Sequence, residues 1–396
     1  LSFDTKNIGA MITGKSIFNI SHKEPLFVIT FDLMLSKISN IQILTYMRFK
    51  QRIAILFLLI PLLSFSQKNR KVGINDTLRY SLSMSYEAIV DMFYLYESFL
   101  DISLLGYSEF GQAIPLLKIS EKSDVKKKPV LIVGNLHARE FYSSKFVLKF
   151  CDEFLYSLLS NEGIYKSAHK ILEEYDLFVI PVANPDGLKI AQEDWEGIES
   201  YRAMVDSIKR IGPYSDWKAN GKGIDLNNNF DDGNFEVKHG HLFEEVPASQ
   251  GYKGAFPCEA NEARIIQDFV DTLIPLITLS YHTKGDVLFW ADRGTHSYFK
   301  GLDELLNTKV ANACEFKMAH VSRNPKDYGA GLENYIRAKT KRIAVCVELS
   351  PPNDLVEQHP ANMFKSLVWD KCKSMPIIYL EELSRLYPRY KYLFEP

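Results

Sequence analysis

His137 and Glu140 stand three residues apart where an apolar run, Pro129 to Leu136, gives way to a helical pattern. At such a junction an imidazole and a carboxylate can turn towards one divalent cation, and zinc takes neutral imidazole nitrogen together with carboxylate oxygen. By itself the spacing carries little, since a chance surface His and Glu are the commoner reason for such a pair. A catalytic zinc site has three protein ligands and an open position for water. His282 is the third candidate, directly after the apolar run Leu276 to Tyr281, and Glu348 ends another such run, Ile343 to Val347. A carboxylate there is costly to bury without a partner, which makes Glu348 a candidate general base more readily than a core position. Polar groups at the ends of three strands are also where open α/β sheets build their sites.

The elements that must position these side chains follow from the apolar pattern. Ser81 to Leu105 reads as helical, and Gly106 to Ile119 as turn and strand. Strand-like runs follow at Pro129 to Leu136, Tyr175 to Val182, Leu276 to Tyr281 and Arg342 to Leu349, separated by longer helical stretches such as Phe141 to Leu159 and Glu259 to Leu273. Near-continuous apolar strands between helices predict an α/β sheet covered on both faces. Trp195 to His241 is the one long stretch without clear periodicity, and a loop of that length inside a compact domain usually carries function.

A formal net charge of -2 over 396 residues leaves no sequence-wide basic field, so nucleic acid is not an expected partner. Arg48, Lys50 and Arg52 precede the apolar run Ile53 to Leu63, which ends in Ser64-Phe65-Ser66. The run is shorter than the roughly 20 residues of a membrane-spanning helix and matches a signal peptide, with an uncleaved anchor as the other reading. The expected organisation is an upstream, non-native segment at 1–46, a signal peptide at 47–66, a linker at 67–78 and one catalytic domain at 79–390. Export to a periplasm or the medium is expected, with no stable membrane span after cleavage. Five widely spaced cysteines do not indicate a disulfide framework, and Cys151 and Cys346 read as buried free thiols.

With these residues in view, the chain resembles the zinc carboxypeptidases of the carboxypeptidase A superfamily over roughly Ser81 to Leu383. His137-Ala138-Arg139-Glu140 resembles the first metal motif, and Asn184-Pro185-Asp186-Gly187 the family's Asn-Pro-Asp-Gly turn. Asp225-Leu226-Asn227-Asn228-Asn229 resembles its Asp-x-Asn-Arg-Asn segment, Ser280-Tyr281-His282 the second metal motif, and Val347-Glu348-Leu349 the catalytic glutamate. The resemblance implies a mixed, largely parallel central sheet with helices on both faces, and one Zn2+ held by His137, Glu140 and His282. It also implies Glu348 as general base, and Lys218 where the family usually has an arginine facing the developing oxyanion.

Two departures bear on substrate. Asn227 is kept, but Asn228 stands where the family has the arginine that grips a free C-terminal carboxylate. Aligning Gly331 to Glu348 on the family pattern puts Tyr335 at a tryptophan position and Arg337 at the mobile tyrosine, which makes Arg337 a replacement anchor or else a solvated loop residue. The wording around Trp217-Lys218-Ala219-Asn220 and Ser280 to Asp286 is most similar to bacterial γ-D-glutamyl-diamino acid endopeptidases. That branch implies a peptide or muropeptide substrate with extra carboxylates, for which Lys284, Lys222 and Lys218 are candidate receptors. A general peptide carboxypeptidase and a non-catalytic zinc-containing binding module are the competing readings. Oligomeric state is not legible.

Overall fold

The computed structural model describes residues 70–395 apart from 161, 210–211, 239–243, 323, 325, 328 and 354–357. The expected signal peptide at 47–66 and the segment before it lie outside the described residues.

Eight strands form one sheet in the order β1-β2-β4-β3-β5-β8-β6-β7. They are β1 Leu100–Tyr107, β2 Ala113–Ile119, β3 Lys128–Gly134, β4 Tyr175–Ile180, β5 Ile277–Thr283, β6 Val287–Phe289, β7 Lys317–Met318 and β8 Ile343–Leu349. The central neighbours β4, β3, β5 and β8 run parallel. Antiparallel pairing of β1 with β2, β2 with β4, and β6 with β8 makes the sheet mixed. Along β3, Val130 and Ile132 enter one apolar cluster while Leu131 and Val133 enter another. Successive side chains of a strand point to opposite faces, so an unbroken apolar run requires cover on both. Every residue of β5 is buried.

The helices that matter for the site are α1 Leu82–Tyr96, α2 Phe141–Leu159, α3 Pro185–Ala191 and α4 Asn261–Leu273. The helical pattern expected over Ser81 to Leu105 divides into α1 and the edge strand β1. Short apolar runs fit either period, and pairing of Leu100 with Ile119 and Ile102 with Leu117 decides for the strand. Among the described residues, the unpatterned stretch from Trp195 contains one helix, Arg202–Lys209, and short 3-10 turns.

Helix α2 is buried nearly all round, including Lys145, Lys149 and Asp152. Those polar residues fasten the chain before α1. Lys145 Nζ donates to the carbonyls of Asp76 at 2.6 Å and Leu78 at 2.8 Å. Lys149 Nζ lies 2.9 Å from Asp76 Oδ1. Asp152 accepts from the backbone of Val72 at 3.0 Å and Gly73 at 2.8 Å. Lys71 to Leu78, expected as a spacer, is thus packed against the domain. All five cysteines are free thiols, with Cys151 and Cys346 buried. No helix among the described residues is long and apolar enough to cross a membrane.

Candidate metal centre

The site assembles where β3, β5 and β8 end. Gly134 closes β3 against neighbouring backbone, where an added Cβ would meet Pro181 O at 2.9 Å. Asn135 follows with a positive φ of 58° and turns the chain, donating from Nδ2 to His137 O at 3.1 Å. His137 lies in that turn, and Glu140 holds the N-cap position of α2 without a side-chain cap hydrogen bond, which leaves its carboxylate free to face the histidines. His282 and Glu348 are register partners on the adjacent strands β5 and β8.

His137 Nδ1 lies 2.9 Å from Glu140 Oε1 and 2.9 Å from His282 Nδ1. His282 Nδ1 lies 3.1 Å from Glu140 Oε2, which also accepts from Thr283 N–H at 3.1 Å. Two imidazole nitrogens and a carboxylate therefore aim at one place, with all three residues buried and their ligand atoms within 4.8 Å of one another. A nitrogen, nitrogen, oxygen donor set in so small a space fits a zinc ion. His282, Cys346 and Glu348 satisfy the same distance limit. Glu348 Oε2 is buried with no hydrogen-bond partner among the described residues. Desolvation, followed by the charge of Glu140, pushes the Glu348 carboxyl up to about 8.

A second layer holds these groups. Asp225 Oδ1 lies 3.2 Å from His137 Nε2, and Asp225 Oδ2 lies 3.3 Å from Lys218 Nζ. Burial opposes the Asp225 charge, yet Lys218 and His137 overcome it and hold this carboxyl well below the ordinary range. Burial likewise opposes the Lys218 ammonium, and Asp225 and Glu140 raise it. The Asn-Pro-Asp-Gly turn joins the two parts. Asn184 caps α3 by accepting from Gly187 N–H, while its Nδ2 donates to Leu136 O and Ala219 O, both at 3.1 Å. Asn220 organises the segment after Lys218. Its Oδ1 accepts from the N–H groups of Lys222 and Ile224 at 3.0 Å, and its Nδ2 donates to Glu262 Oε2 of α4 at 2.9 Å. Burial, aided by Asp186, pushes Glu262 up to about 8.

The expected substrate residues divide. Asn227 and Asn228 are half-buried side by side, and Asn227 Oδ1 accepts from Leu332 N–H at 2.9 Å. Lys284 follows His282 by two residues, after a cis Thr283–Lys284 peptide, and donates to Asn353. Lys222 turns to Glu109 Oε2 at 2.6 Å and does not join the centre. Arg337 requires a correction. It is 2% exposed and donates to Ala344 O at 2.8 Å and Phe289 O at 2.6 Å, with Asp292 Oδ2 at 3.4 Å. It is neither a solvated loop residue nor free to reach substrate, because it satisfies carbonyls of β6 and β8 four residues below Glu348.

Sequence reading missed Glu333. Glu333 is 7% exposed, and its Oε2 lies 3.4 Å from Asn227 Nδ2. It raises the pKa of Glu348, which puts its charge within electrostatic reach of the candidate base. No ion pair to Glu333 occurs among the described residues. Glu333 does not sit in a spacing pattern that would have singled it out.

The sequence profile of zinc carboxypeptidases matches residues 86–356. Gamma-D-glutamyl-L-diamino acid endopeptidase 1 of Lysinibacillus sphaericus is 25% identical over 219 residues, covering 55% of this chain and 54% of that protein. The inactive metallocarboxypeptidase ECM14 of Saccharomyces cerevisiae is 28% identical over 250 residues, covering 62% of this chain and 50% of that protein. The chain thus spans about half the length of these curated relatives. The crystal structure of thrombin activatable fibrinolysis inhibitor superposes with a TM-score of 0.61 at 18% identity, over 81% of this chain and 78% of that one, a likeness of fold.

Proposed function

Because this chain belongs to the zinc carboxypeptidase family, we propose that it is a zinc-dependent metallopeptidase that hydrolyses amide bonds in short acidic peptides, with peptidoglycan stem peptides as the leading class. The observation that supports this reading best is the convergence of His137, Glu140 and His282 on one point, with Glu348 beside it on the neighbouring strand. In this reading those three residues hold the ion. Bound zinc would supply a water of lowered pKa and polarise the scissile carbonyl.

The protein's own groups carry the remaining work. Glu348 takes the proton of the attacking water and returns it to the leaving amine. Lys218, held by Asp225, presents a fixed positive charge to the developing oxyanion. Asn227 and Asn228 line the place where a substrate carboxylate would otherwise meet an arginine. Glu333 gives the same wall a negative charge, which suits an ammonium such as the free amine of a diamino acid. Likeness to the Lysinibacillus sphaericus endopeptidase supports that substrate class, as does export, if residues 47–66 act as a signal peptide.

The test is incubation with a defined muropeptide panel and mass-spectrometric identification of the cleaved bond, beside free and amidated peptides. Chelator-sensitive cleavage of a γ-D-glutamyl bond to a diamino acid supports the proposal. Cleavage of ordinary peptides only when the C-terminus is free would replace it with a general carboxypeptidase. Likeness to an inactive metallocarboxypeptidase favours one further reading, a zinc-containing peptide-binding module. Zinc binding without turnover on every peptide of the panel would establish that alternative.

A further inference from the structure

Resting on the peptidase reading, we propose that a cavity beside the centre receives a carboxylate borne by the residue that donates the scissile carbonyl, with Arg79 as its anchor. The cavity measures about 100 Å³, and its lining includes Arg79, Phe141, Ser215, Gln358 and Ala361. A cavity of roughly 150 Å³ holds a benzene, so this one suits a carboxylate better than a large side chain. Two links join it to the metal centre. Phe141 directly follows Glu140, and Gln358 Oε1 accepts from Thr283 Oγ1 at 2.5 Å, one residue after His282. Thr283 N–H in turn donates to Glu140 Oε2 at 3.1 Å.

The cavity and the Asn227 wall lie over opposite faces of the sheet. Phe141 belongs to the larger apolar cluster on one face, and Ala361 packs against it. Leu332, whose N–H donates to Asn227, belongs to the cluster on the other face. The centre sits at the strand ends between them, so a substrate whose leaving amine lies along the Asn227 wall brings its acyl side to the cavity. Arg79 lies outside the residues that match the family profile, as do Gln358 and Ala361. The chain that delivers it is the segment fastened to α2 by Lys145, Lys149 and Asp152. Its guanidinium lies 4.8 Å from the Phe141 ring centroid and donates to Ala191 O at 3.2 Å. Ring and carbonyl together orient the guanidinium at the cavity. An oriented guanidinium grips a carboxylate through two parallel N–H bonds. Gln358 Nε2 and the Ser215 hydroxyl are further donors on the same lining.

The experiment uses the zinc-loaded full chain carrying Glu348→Gln, so that binding is read without turnover. Two peptides are titrated calorimetrically: L-Ala-γ-D-Glu-L-Lys, whose glutamyl α-carboxylate is free, and L-Ala-D-isoGln-L-Lys, in which that group is a neutral carboxamide. The acid is expected to bind roughly tenfold more tightly at low salt, with the difference shrinking as salt is added. Arg79→Met should remove the difference and Arg79→Lys should keep part of it, at unchanged zinc content and melting temperature. An acid preference that persists in Arg79→Met overturns the proposal, as does equal or undetectable binding of the two peptides to the protein with Arg79 intact. Turnover by the unmutated chain tests the peptidase reading separately: an acid preference that depends on Arg79, without turnover, retains the cavity's role and removes catalysis.

Discussion

Asp225 Oδ1 lies 3.2 Å from His137 Nε2, on the opposite side of the imidazole from the Nδ1 that faces Glu140. A carboxylate behind a metal-binding histidine fixes the ring's orientation and tautomer and raises its basicity. Replacing Asp225 by Asn keeps the size and removes the charge that His137 and Lys218 share. Zinc affinity is expected to fall by roughly ten- to a hundredfold. Competitive titration with a chelator measures it, and an unchanged affinity would remove Asp225 from this role.

Glu348→Gln should retain one zinc per chain and lose hydrolysis by about 10²- to 10⁴-fold, the range of a positioned general base. Metal analysis of the purified variant and kcat on the best muropeptide give both numbers. Loss of the metal together with activity would instead make Glu348 a ligand.

Glu333→Gln removes the charge on the wall beside Asn227. For substrates with a free amine next to the scissile bond, kcat/KM should fall by roughly ten- to a hundredfold, the value of a hydrogen bond to a charged group. The N-acetylated counterpart should be little affected. A uniform loss on both substrates would mean that Glu333 acts on Glu348 or on folding.

Burial, followed by the charge of Asp186, pushes the Glu262 carboxyl from its ordinary 4.5 up to about 8 in the folded chain. Between those two values the folded state holds a proton that the unfolded state has released. Stability must therefore fall as pH rises through that window, by at most about 1.4 kcal/mol per pH unit from this group, and level off above the folded value. Glu262→Gln should flatten the dependence in denaturant melts from pH 5 to 8. Identical slopes in both proteins would refute the assignment.

Asp152 accepts from Val72 N–H, Gly73 N–H and Tyr96 Oη, the last at 2.7 Å. Asp152→Ala leaves the buried Tyr96 hydroxyl unpaired, at about 1–3 kcal/mol, and releases the part-buried N–H groups of Val72 and Gly73. A lower melting temperature is expected, with proteolysis appearing first near residues 71–78. Unchanged stability would show that the segment docks without Asp152.

The sequence alone determined the strands β2, β3, β4, β5 and β8 and pointed to the four main side chains of the candidate centre, whereas β1 was read as helix and β6 and β7 were not read. Apolar runs in β3, β5 and β8 are long enough to mark strands, and a lone His or Glu at the end of such a run contrasts with its neighbours. Motif order was legible for the same reason. What surrounds the centre was not, because it depends on which distant segments meet. Arg337 looked available beside Glu348 in the chain, but a side chain's direction is set by packing, and here unfilled carbonyls of β6 and β8 take it. Glu333 gains meaning only from Asn227, 106 residues away. Periodicity records which face of an element is buried; contacts between loops leave no such record, so only the tertiary structure brings these charges together.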